Sequence, residues 1–531
     1  MRLIKRVITA ATVGMLAMSC CGCDFIDALL GKDISVHQEN ADPNRYNVSA
    51  VADKVTELQD LWSKSGNDVQ IKEILDYLLQ AVDESYALHV HAEMEYYADW
   101  KNSTLSTHEL NTDNDSSEVY EMVKWAVCNG YKKSLYSDLF KPYVDQNDQD
   151  YYLANSLSRV RDSARSTSAS ASEMMDSYYD TAYDKEQDPK DTNLECAKLY
   201  LEILNQYDTD DYLYSFYNRD YTVEQASGMY SKIVQELVPV YMELTDYLKN
   251  SKEYMLMALD GKNSEDPFQT LKRYAPKLSS SIGESADELV DHKRYYTGKG
   301  EDCYDNCFTA CVPSEKSALM YIFLEDRYSD FLSVVHEFGH FNADWRDKTP
   351  VLNQINCTDL AEVQSQGMEL LFTHLYPEIY PKHTKLMELI SLYNIIDSVV
   401  AGFSVGEFEY RVMQHKEDYS ASDVVNQFKE IHDKSDLGID FYQIIHLFEQ
   451  PGYYISYGVS ALAALQIYEE MQEDFDGAVA KYERIASLSS VNGEHQLLNS
   501  LNEAGLSSVF DSAEFSRIID VVKDKADQLT K

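Results

Sequence analysis

The chain has 531 residues, 44% of them hydrophobic, enough apolar material for a large globular protein of one or two domains. Its 90 acidic against 46 basic residues give a formal net charge of −44, which excludes nucleic acid as a partner, because phosphate binding needs a basic surface. Only 20 Gly and 11 Pro interrupt it, so long helices are expected rather than many short strands.

Arg2, Lys5 and Arg6 open the chain with positive charge, and Val7 to Met18 form a short, mostly apolar run followed by small residues and Cys. About a dozen residues cannot cross ~30 Å of hydrocarbon as a helix, so a cleaved export signal over residues 1–19 is expected. Leu16-Ala17-Met18-Ser19-Cys20 resembles a bacterial lipobox with Cys20 as the acylated residue. Cys23 is the alternative, and a plain secretory peptide the other reading. Residues 20–45 would then be a tether. The protein would sit on the outer face of the cell membrane, touching lipid only through its N-terminal anchor.

Residues 46–290 read as a helical region. His89 and His91 are two apart, so on a helix they point in different directions and make a poor metal pair. Ser163 to Ser172 is a low-complexity patch, an exposed helix face or a loop. Asp184 to Asp191 is the expected flexible connector. Thr222-x-x-Gln225 has the form of a capping box, and Met229, Ile233, Leu237, Val240, Tyr241 and Leu244 follow at helical spacing.

Residues 291–531 carry the chemistry. Cys303, Cys307 and Cys311 recur every four residues, which would stack them on one helix face. Outside the cytoplasm they could pair with one another, with Cys357 or with Cys128, or stay as buried thiols. A second metal site there lacks a fourth clustered ligand. Ala318 to Leu324 is an apolar strand, either buried or offering an edge to the backbone of an extended ligand. Val334-Val335-His336-Glu337-Phe338-Gly339-His340 follows on an expected helix starting near Ser329-Asp330. His336 and His340, one turn apart, can both reach one tetrahedral metal. Glu337 is placed to take a proton from a metal-bound water, while Phe331, Leu332, Val334, Val335 and Phe338 can bury the helix.

A catalytic zinc needs a third protein ligand and an open position. The helical stretch Thr358 to Leu371 is the best supplier: Glu362, Ser365, Gln366 and Glu369 share a polar face, opposite Leu360, Val363, Leu370 and Leu371. Asp359-x-x-Glu362 could equally be a capping pair. Asp359 and Glu369 are also candidates to accept the second N–H of a zinc-bound imidazole. Val459 to Met471 repeats the helical pattern near the C-terminus.

Three blocks in this order resemble the thimet oligopeptidase and oligoendopeptidase F group of zinc metallopeptidases: Ser317 to Leu324 before the HExxH helix, Glu362 in an Asp-x-x-Glu-x-x-Ser-Gln frame 26 positions after His336, and Pro451-Gly452-Tyr453-Tyr454-Ile455-Ser456-Tyr457. The chain departs from that group in Phe341-Asn342-Ala343-Asp344, where a further His is frequent, and in Glu325-Asp326-Arg327-Tyr328, usually Gly-rich. The resemblance implies Glu362 as the third ligand of one Zn2+ and a mainly α-helical fold with a small sheet beside the HExxH helix and a deep channel. It implies hydrolysis of short or unfolded peptides, with Tyr457, then Tyr454, as hydrogen-bond donors to the oxyanion and His446 assisting. Rival readings are a carboxypeptidase, for which Arg346 or Arg411 would have to bind the terminal carboxylate, and a peptide-binding lipoprotein without turnover.

Overall fold

The computed structural model describes residues 46–144, 149–182, 188–205, 216–260 and 265–531. The expected signal, the Cys20 lipobox and the tether lie outside these residues. Helices dominate, as the scarcity of Gly and Pro predicts. The elements that position the site are, in chain order, α1 (Asp68–Tyr97), β1 (Tyr295–Gly298), β2 (Phe308–Val312), β3 (Ser317–Phe323), α2 (Ser329–Asp344), α3 (Thr358–Thr373), α4 (Thr384–His415) and α5 (Ile455–Glu473).

The strands form one sheet in the order β1-β3-β2, with β1 parallel and β2 antiparallel to β3. β3 is an unbroken apolar run because both its faces are covered. Ala318, Met320 and Ile322 join the core containing Val334, Val335 and Phe338 of α2. Leu319 and Tyr321, on the opposite face, pack with Ala87, Val90 and Met94 of α1. β3 is therefore central, which decides between the two readings of Ala318 to Leu324 in favour of a buried strand. The tyrosine-rich β1 carries no apolar signal of its own, yet it pairs along one side from Tyr295 to Gly298. The edges belong to β1 and β2.

The main core runs from Tyr178 to Leu529, and a second cluster gathers residues from Tyr46 to Val160 together with Leu352. α4 is the one helix among the described residues long and apolar enough to cross a membrane, but 94% of its apolar window is buried inside the fold. A position at the centre of the core accounts for its composition, and α5 packs along it.

α2 and α3 come into close contact at Gly339, inside the HExxH segment. A Cβ there would lie 2.5 Å from the Ser365 Cα and 2.6 Å from the Gln364 carbonyl oxygen. Both obstacles are backbone, so the helices would have to separate. Gly339→Ala is expected to cost about 3 kcal/mol, the upper range for overpacking, read as a lower midpoint in urea unfolding at unchanged m-value.

Three further expectations change. Cys303, Cys307 and Cys311 do not share a helix face: Asp302, Asp305 and Asn306 are turn formers, and Cys311 lies on β2. The cysteines described are all free thiols, Cys128 and Cys357 included, and the Cys303 thiol donates to the Ala98 carbonyl at 3.0 Å. The Thr222–Gln225 capping box is present, but its helix ends at Glu236 and a second begins at Val238, because Pro239 lacks the N–H needed to continue the ladder. Of the connector, residues 184–187 lie outside the described residues, while Asp188 caps the helix Pro189–Leu204. A helix, Leu157–Ala182, runs through the serine-rich patch, and Val459 to Met471 lies within α5.

Candidate metal centre

α2 enters from a loop that its own first turn organises: the Asp330 carboxylate accepts the backbone N–H groups of Glu325 at 3.0 Å and Arg327 at 3.2 Å. Phe331, Val334, Val335, Phe338 and Phe341 then bury one side of the helix. His336 and His340 come out on the other, their ring centroids 5.2 Å apart. Each keeps a little side-chain exposure, 17% and 15%, so water reaches the pair from one side.

Glu362 comes to them from α3. Its Oε2 lies 3.5 Å from His336 Nε2 and 3.8 Å from His340 Nε2. One donor atom from each of the three residues falls within 4.8 Å of the others. The capping alternative for Asp359 and Glu362 fails, since α3 begins after Cys357 with no side-chain cap. Nor is the polar face of α3 a solvated stripe. Ser365 donates to Glu362 Oε2 at 3.0 Å, Gln366 donates to the Tyr457 carbonyl at 3.3 Å, and both are buried.

The two carboxylates proposed behind the imidazoles separate. Glu369 Oε1 lies 2.6 Å from His336 Nδ1, which engages that nitrogen and turns Nε2 toward Glu362. Asp359 turns elsewhere: Arg219 donates to both its oxygens at 3.3 Å and Ser456 donates at 2.6 Å. It is a partner of Arg219, not of an imidazole, and a spacing of three from Glu362 could not reveal this.

Glu337 is buried on α2, where the Thr309 hydroxyl of β2 donates to its Oε2 at 2.8 Å. Burial raises its pKa to about 7, and burial also raises that of Glu362. Burial opposes a charged His336, but the Glu369 hydrogen bond and the surrounding carboxylates outweigh it and lift the pKa to about 10. Burial and the charge of His336 push His340 well below its usual value. Three carboxylates thus crowd two imidazoles with little solvent to screen them, an arrangement that attracts positive charge. Two imidazoles and a carboxylate with an open side suit zinc.

The tyrosine turn supplies a residue that spacing missed. Tyr453 donates from its hydroxyl to Glu362 Oε1 at 2.6 Å. Tyr457 lies one helical turn on, its ring centroid 5.2 Å from that of Tyr453 and its hydroxyl 3.4 Å from His446 Nε2. Burial raises the Tyr457 pKa well above the phenol range, with the Glu362 and Glu337 charges adding to it, so the hydroxyl stays protonated and able to donate. Tyr454 meets them ring to ring, its centroid 5.6 Å from that of Tyr457 and 5.9 Å from that of His446, but no hydrogen bond joins it to Glu362. It is 2% exposed, and the charges that raise its pKa, after burial, are those of Asp397 and Glu409. The start of α5 turns Tyr454 into the core while Tyr453 and Tyr457, four apart, share the face toward Glu362. Burial lowers the His446 pKa to about 4, which leaves a neutral ring beside Tyr457.

The remaining candidates are occupied. His91 bonds Tyr296 at 2.7 Å and Glu315 at 2.6 Å, while His89 faces Asp113 at 4.0 Å. Arg346 pairs with Glu284 and Arg411 with Glu407 and Glu430.

No family model and no curated protein matches this chain. Solved structures do. A protein assigned as oligoendopeptidase F superposes with a TM-score of 0.73 at 13% identity, covering 93% of this chain and 98% of its own. A protein from Bacillus anthracis str. Ames, also assigned as oligoendopeptidase F, gives 0.72 at 14% identity, covering 95% and 99%. PZ peptidase A, in complex with an inhibitor, gives 0.64 at 12% identity, covering 93% and 99%. Nearly the whole chain therefore has the oligoendopeptidase F fold.

Proposed function

We propose that this chain is a zinc-dependent oligoendopeptidase that hydrolyses peptide bonds in short or unfolded peptides. One observation carries the reading: His336, His340 and Glu362 offer donor atoms within 4.8 Å of one another, with the buried Glu337 on the same helix. The peptidase names of the structures that share the fold support it. Zinc held by those three residues would supply a Lewis acid that acidifies water and polarises the scissile carbonyl.

The chain's own groups supply the rest. Glu337, held by Thr309, takes the proton of the attacking water and passes it to the leaving amine. Tyr457 donates to the oxyanion of the tetrahedral intermediate, at no cost in added charge. Tyr453 occupies the second oxygen of Glu362 and so fixes the direction in which that carboxylate points. β2 has no strand partner on its outer side among the described residues and runs beside α2. Its edge suits the backbone of an extended peptide, which gives affinity without sequence choice.

The endopeptidase reading is favoured over a carboxypeptidase because Arg346 and Arg411 are already paired with carboxylates of this chain. An intact Glu337 argues against a binding module without turnover. The lipobox at Cys20 supports export and anchoring at the outer face of the membrane, with peptides as the partners. The test is a quenched peptide and its C-terminally amidated form, digested by protein of measured zinc content. Equal internal cleavage of both, abolished by chelator and restored by zinc, is expected. Removal of C-terminal residues from the free acid alone would favour the carboxypeptidase, and no cleavage at full zinc the binding module.

A further inference from the structure

The tyrosine turn reaches Glu362 through one hydrogen bond, yet a buried cation from a distant part of the chain secures it. Gly452 has a φ of +88°, a left-handed conformation that a side chain would strain. Buried side chains take both of its backbone polar atoms: Glu409 of α4 accepts its N–H at 2.6 Å, and Arg219 donates to its carbonyl at 2.7 Å. The Arg219 guanidinium also donates to the Ser456 hydroxyl at 2.9 Å and to both Asp359 oxygens at 3.3 Å, with Arg219 and Asp359 side chains fully buried. Asp359 lies one turn before Glu362 on α3. Besides the Gln366 hydrogen bond to the Tyr457 carbonyl, the turn is fastened to α3 at two neighbouring carboxylates, by Arg219 and Ser456 on Asp359 and by Tyr453 on Glu362.

A planar fork is what this arrangement needs, because one side chain must meet a carboxylate, a carbonyl and a hydroxyl from three directions. Plain charge neutralisation of Asp359 would not require the contacts to Gly452 and Ser456. We infer that Arg219 is a positioning residue of the site, holding the 451–457 turn so that Tyr453 stays on Glu362 and keeps the metal-facing oxygen aimed. The inference rests on the zinc-peptidase reading. Arg219 touches neither substrate nor metal; it acts through Tyr453.

The test is a double-mutant cycle on the full chain with Arg219→Lys, Ser456→Ala and Tyr453→Phe, read in two ways: zinc affinity of the apoprotein by chelator competition, and kcat and KM at saturating zinc. Arg219→Lys should weaken zinc binding and lower kcat by about tenfold each, within the range for groups that orient a ligand, with KM within about twofold. Ser456→Ala should do the same more mildly. In the Tyr453→Phe background neither should add more than about twofold, because the path through Tyr453 is already cut. Unchanged zinc affinity in Arg219→Lys, or losses that multiply with Tyr453→Phe, would overturn the inference while leaving the peptidase intact. If Arg219→Lys does not fold, Ser456→Ala decides by the same criteria. A wild type that binds no zinc and cleaves no peptide would remove the peptidase reading and this inference with it.

Discussion

Glu337→Gln should bind a full equivalent of zinc and hydrolyse peptides about a thousandfold more slowly than the wild type. The amide keeps the size of the side chain and still accepts the Thr309 hydrogen bond that holds Oε2 at 2.8 Å, so the helix and its two imidazoles are undisturbed. What it cannot do is take a proton. General-base catalysis contributes roughly 10²–10⁴-fold, and the fall should appear in kcat with KM nearly unchanged, because the lost interaction exists only along the reaction path. Turnover within about threefold of the wild type would remove Glu337 from the chemistry.

Glu362→Gln should have the complementary signature. Its carboxylate is buried, meets both imidazoles and accepts from Tyr453 and Ser365. The amide oxygen can keep one of those hydrogen bonds but offers no anionic donor. Zinc affinity should fall by more than the 10–100-fold that a group behind a ligand costs. Peptide hydrolysis at limiting zinc should fall with it. Helical circular dichroism should not change, since the side chain keeps its volume within a buried helix. Chelator competition and the spectrum together separate loss of metal from loss of fold. A variant that holds zinc as tightly as the wild type would exclude Glu362 as a ligand.

How much of this could be read beforehand depended on whether the information was local. His336, Glu337 and His340 were legible because helical periodicity alone puts two imidazoles on one face. Glu362 was not, since nothing in α3 says which of its polar residues turns toward α2, and only the likeness to a known group selected it. Tyr453 is distinguished from Tyr454 in the sequence only by its spacing of four from Tyr457. Gly452 and the start of α5 decide which tyrosine faces the site. Arg219 was beyond reach altogether, its partner Asp359 being 140 residues away. The same limit explains the errors. A repeat of four suggested a cysteine helix where turn residues break the chain, and an apolar run could not say that β1 lies alongside it.

Two of the three donors lie on one helix and the third on its neighbour, packed so tightly at Gly339 that a single Cβ does not fit. Anomalous diffraction at the zinc absorption edge, from crystals of the wild-type protein grown with zinc, tests that convergence most directly. One strong peak bounded by His336 Nε2, His340 Nε2 and the Glu362 carboxylate is predicted. A peak elsewhere in the molecule, or none at full zinc occupancy in solution, would contradict it.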